Sequence, residues 1–142
     1  MNDTVKLLKE CDAGIRMGVD AMKRLIPKAK STELKNALEV ARDTHTALAG
    51  EVREELLKNK VSISDAHPLA HLMSNAKLCV KLMIKENDKT IADFMTDGCD
   101  MGIKSLSRFL NEYKGASTSS RDVAKRLVAS EEYLENKLRG FL

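Results

Sequence analysis

The chain has 142 residues, 43% of them apolar and 32% charged, with a formal net charge of only +3. That length suits one domain able to bury a real core, and so small a net charge excludes the dense basic field of a typical nucleic-acid binder. No apolar run approaches the roughly 18 residues of a membrane span, and Met1-Asn2-Asp3-Thr4 has neither the basic nor the apolar region of a secretory leader.

Aromatic residues make up 4% and Trp is absent, whereas the straight-chain helix formers are plentiful. The pattern predicts an all-α chain. The first helix is expected over about 3–26, where Val5, Leu8, Asp12, Ile15, Val19, Met22 and Ile26 step by threes and fours onto one stripe. Beside it runs a second stripe of Cys11, Gly14, Gly18, Ala21 and Leu25, smooth enough for another helix or a ligand to approach. Pro27 ends the helix, since its ring removes a donor and clashes with the preceding turn.

Ser31 is the expected N-cap of a second helix reaching about Lys58, with Leu34, Leu38, Ala41, His45, Leu48 and Val52 on its stripe. Gly50 within it suggests a kink or a close contact, because a helical Gly costs about 1 kcal/mol relative to Ala. Pro68 opens a third helix over about 68–86. Thr90-x-x-Asp93 reads as a capping box for a fourth, and Ser119-x-x-Asp122 as one for a fifth ending near residue 139.

The fourth helix repeats the first. Cys11-Asp12-Ala13-Gly14-Ile15-Arg16 returns as Cys99-Asp100-Met101-Gly102-Ile103-Lys104, so the chain reads as two related helical hairpins in one domain, 1–142. Hairpin one covers about 3–58 and hairpin two about 89–139. The helix at about 68–86 lies in the long crossover between them. Each hairpin has a short turn, which makes its two helices antiparallel.

Two repeated hairpins with a long middle crossover resemble the ferritin-like superfamily, and within it the small uncharacterised bacterial proteins. The resemblance implies a ferritin-like four-helix bundle. Di-iron members carry a Glu on the first helix of each hairpin and Glu-x-x-His on the second. At the matching positions this chain has Asp12 and Asp100, then Arg42-x-x-His45 and Glu131-x-x-Leu134. Each hairpin retains a different half of the motif, and Arg42 brings a positive charge to a cation site, which weighs against a di-metal centre. Two readings stay open. One is a mutually neutralising core network of Asp12, Arg42, His45, Asp100 and Glu131, preferred because an unpaired buried charge is costly. The other is a single iron, manganese or zinc ion held by Asp12, His45, Asp100 and Glu131.

Other chemistry is thin. His67 and His71 are four apart, a chelating spacing on a helix, but Pro68 places His67 outside the helix start. Lys77, Lys81, Lys85 and Lys89 form a ladder that reads as a solvated face. Cys11, Cys79 and Cys99 have no Cys-x-x-Cys spacing and read as thiols of a reducing cytoplasm. No phosphate-binding loop or nucleophile elbow occurs. The expected function is a non-catalytic bundle acting through self-association, a dimer being favoured, or through another protein. A metal-binding protein is the alternative, and a nucleic-acid role a distant third.

Overall fold

Each helix begins where a short polar side chain can satisfy the orphan amides of a first turn. In the computed structural model, which describes residues 2–62 and 87–142, Asn2 caps α1 (Asp3–Leu25) by accepting from the Val5 amide. Ser31 caps α2 (Thr32–Lys58) by accepting from Leu34. Between them Pro27 sits in a single 3-10 turn, Ile26–Lys28, so the α-helix stops at Leu25. The next helix, α3 (Asp88–Glu112), starts ahead of its predicted capping box, because Asn87 is the cap. Asn87 Oδ1 accepts from both the Thr90 amide (2.8 Å) and the Thr90 hydroxyl (2.9 Å), and Asn is at least as good a cap as Thr. Likewise Ser117 rather than Ser119 caps α4 (Thr118–Leu138), which a second 3-10 turn, Arg139–Phe141, extends. Among the described residues there is no strand.

Hydrogen bonds at the two ends fix the topology. At one end the Gly115 amide donates to Asp3, the Ser117 amide to Thr4, and the Ser119 hydroxyl to Glu55. At the other, the Asp88 carboxylate accepts from the amides of both Lys30 (2.8 Å) and Ser31 (2.9 Å). The helices therefore run up, down, down, up, and the chain leaves α2 at one end of the bundle and returns at Asn87 at the other. α1 packs on α2, α2 on α4, α4 on α3 and α3 on α1, each pair antiparallel; α1 also reaches α4 across the diagonal.

The core lies in two apolar clusters. One gathers the C-terminal part of α1 and the N-terminal part of α2 with the start of α3 and the end of α4, around Met22, Leu25, Leu38, Ile91 and Leu134. The other holds the opposite ends, around Leu7, Leu8, Ile15, Leu56 and Leu127. All of these side chains are within 2% of complete burial. Between the clusters lies a polar level at mid-height, and the candidate site occupies it. Gly50 neither kinks α2 nor packs against anything; it is exposed with no atom within 4 Å of a would-be Cβ.

Candidate functional site

The polar level is built from one side chain of α2 and one of α4. His45 is 1% exposed, and its Nε2 lies 2.9 Å from Glu131 Oε1. Its Nδ1 lies 2.8 Å from the Ala41 carbonyl oxygen. A carbonyl oxygen can only accept, so Nδ1 carries a hydrogen and Nε2 is the second nitrogen to be satisfied. A carboxylate also only accepts, so the contact between Nε2 and Oε1 holds one more proton, on the ring or on the acid. The pair is thus a closed hydrogen bond with one shared proton, and Ser130 Oγ stands 3.4 Å from Nδ1 at its edge.

Two glycines make room for it. A Cβ on Gly18 of α1 would meet His45 Cδ2 at 3.2 Å and Nε2 at 3.3 Å. A Cβ on Gly102 of α3 would meet Glu131 Cδ at 3.4 Å and Oε1 at 3.5 Å. All four helices therefore contribute, two with polar side chains and two with an absence of side chain. Gly102 comes from the repeated Cys-Asp-x-Gly segment, whose small residue was the only sequence trace of this role. Cys99, fully buried on the same helix, faces Glu131 as well.

Of the five residues expected to form a network, only His45 and Glu131 meet. Asp12 is buried at 6% exposure, but its ion pair is with Arg16 one turn along its own helix, at 3.0 Å. Arg42 turns outward to Asp43, at 3.1 Å, and leaves the interior without a cation from that position. Asp100 is exposed and meets Glu135 of α4. On α3 the core face is Met95, Thr96, Cys99 and Leu106, so Asp100 is turned away from the bundle axis. Among the described residues no three His, Cys, Asp or Glu side chains form a group able to hold a metal ion. His67, His71, Lys77, Lys81, Lys85, Cys79 and the predicted helix at 68–86 lie outside the described residues.

Family models, curated proteins and solved structures were all searched, and none matches this chain.

The electrostatics keep the two described thiols in their neutral form. Burial, then the charge of Glu131 and its hydrogen bond, push the Cys99 thiol far above the ordinary cysteine range. Burial, then Glu10 and Asp12, push the Cys11 thiol up to about 12. Neither thiol is a nucleophile at neutral pH, since the thiolate is the reactive form. In a Cys79→Ser variant, Cys11 and Cys99 are expected to resist an aromatic disulfide reagent in the native state and to react when the chain is unfolded in guanidinium. Prompt labelling of either under native conditions would show that thiol to be accessible.

The Asp100–Glu135 contact raises the Glu135 carboxyl, first because its protonated form donates a hydrogen bond to Asp100, then through burial, then through the Asp100 charge. A raised acid binds its proton more tightly folded than unfolded. Stability therefore falls as pH rises from the unfolded value through the folded one. Asp100→Asn is expected to raise the thermal midpoint at about pH 7 and to leave it unchanged at about pH 3, where both forms are protonated.

Proposed function

We propose that this protein is a non-catalytic ferritin-like bundle that acts by association, with a second copy or with another protein. One observation carries the reading. The mid-height level, where a di-iron relative would hold its ligands, is filled by a His45–Glu131 pair in direct contact at 2.9 Å and almost fully buried. Such a pair is already satisfied and presents no open position to a substrate. The up-down-down-up order, with α2 ending and α3 beginning at opposite ends of the bundle, supports the ferritin-like assignment. Apolar side chains left on the outer surface, Val40, Leu57, Met101 and Tyr133 among them, support a role in binding. Sedimentation equilibrium tests it: a mass of two or more chains is expected. A single-chain mass at every concentration contradicts association with a second copy.

A second reading, a single iron, manganese or zinc ion, has His45 and Glu131 in its favour, because both are metal-ligating types facing each other in the interior. The donor set fits poorly. Asp12 is paired to Arg16, Asp100 lies outside, and the remaining two donors would have to part to admit an ion.

A further inference from the structure

The outer seam between α2 and α4 combines exposed apolar surface with an ordered arrangement of charge. Val40 is 48% exposed and Tyr133 44%, and both line one groove with Ala37, Phe141, Glu33 and Lys137. A single exposed apolar residue is ordinary; two facing each other across one groove form a surface. α1, by contrast, exposes no large apolar side chain between Asp3 and Met22.

Across the seam, acids of α2 face bases of α4, with Asp122 an acid of α4 beside them. Glu33 and Glu51 belong to α2, and Lys137 and Arg126 to α4. Arg126 holds Glu51 with two hydrogen bonds, at 2.6 and 2.7 Å, and also takes up Asp122 of its own helix at 2.8 Å. Lys137 lies over the Tyr133 ring. A two-fold axis running along the seam lays the α2 of one copy over the α4 of the other at the same height. It therefore sets acids over bases and Val40 over Tyr133, twice. An axis perpendicular to the helices would set α2 on α2 and bring like charges together. The seam is thus self-complementary in one orientation, as an isologous interface must be. Two helices about 20 Å across together and about 30 Å long present about 600 Å² per copy, near the roughly 800 Å² of a standard stable interface.

We propose that a second copy of this chain docks on the α2–α4 seam about a two-fold axis parallel to the helices. This rests on the association reading above and specifies its partner and surface. The test is light scattering of the full chain across a concentration series, with far-UV circular dichroism and thermal midpoint as fold controls. The wild type is expected as a dimer. Val40→Glu and Tyr133→Glu, both at exposed positions, are expected to weaken the dimer at least tenfold without changing the fold controls. Glu33→Lys is expected to weaken it too, and adding Lys137→Glu in the same chain to restore it. Dimers that persist in both glutamate variants overturn this surface while leaving association standing. A wild type that is monomeric throughout overturns the surface and self-association together.

Discussion

Replacing Glu131 with Leu is expected to lower the unfolding free energy by about 3 kcal/mol, a drop of about 10 °C in the midpoint of a domain this size. The cause is not the lost attraction itself. His45 stays 1% exposed with Nε2 facing an apolar wall, and a buried polar group without a partner costs its full desolvation. Removing both partners avoids that penalty, so His45→Leu with Glu131→Leu is expected to recover most of the loss. Glu131→Gln is expected to cost only about 1 kcal/mol, because its amide can donate to a neutral Nε2. Urea unfolding of the wild type, Glu131→Leu, His45→Leu and the double variant measures the coupling, expected at about 2 kcal/mol or more. Additive losses would mean that the two side chains do not interact.

Gly18→Leu should be nearly as damaging, at about 3 kcal/mol. Even a Cβ there sits 3.2 Å from the imidazole, and a branched side chain must displace the ring from Glu131. Overpacking of a filled core costs about 1–3 kcal/mol before the broken pair is added. Gly50→Ala is the internal control. It lies exposed on α2 with open space around it, and helix propensity predicts a gain of about 1 kcal/mol. Chemical denaturation separates the two glycines by sign. A Gly18→Leu protein as stable as the wild type would show that α1 does not press on His45.

The helices themselves were legible from residue chemistry. Ser31 and Pro27 bounded the first turn because capping and the missing amide act locally. The later starts slipped because Thr90 and Ser119 fit a capping motif but lie inside the first turn, while Asn87 and Ser117, two or three residues earlier, supply the caps. The site was half legible. His45 and Glu131 were in the candidate set, but so were Asp12, Asp100 and Arg42; Arg42 turns outward to Asp43, and antiparallel packing explains why the two aspartates stand apart. The contacts of Asp3 and Gly115, and the glycines Gly18 and Gly102 flanking one pair, set the register of α1 against α3. In that register Asp12 lies near the level of Arg108 and Asp100 near that of Asp20, about 12 Å apart along the axis. A repeat matched by sequence thus falls on either side of the middle rather than at it. Rotation does the rest, since the buried face of α3 passes through Cys99 and leaves Asp100 outside. Neither register nor rotation is local, so stripe counting on single helices does not reach them.

The claim that a hydrogen-bonded pair, and not an ion, fills the middle of the bundle is open to one inexpensive measurement. Elemental analysis of protein purified without chelator should find iron, manganese and zinc each far below one equivalent per chain. One equivalent of any of them, lost on His45→Ala in a chain that still folds, would contradict it.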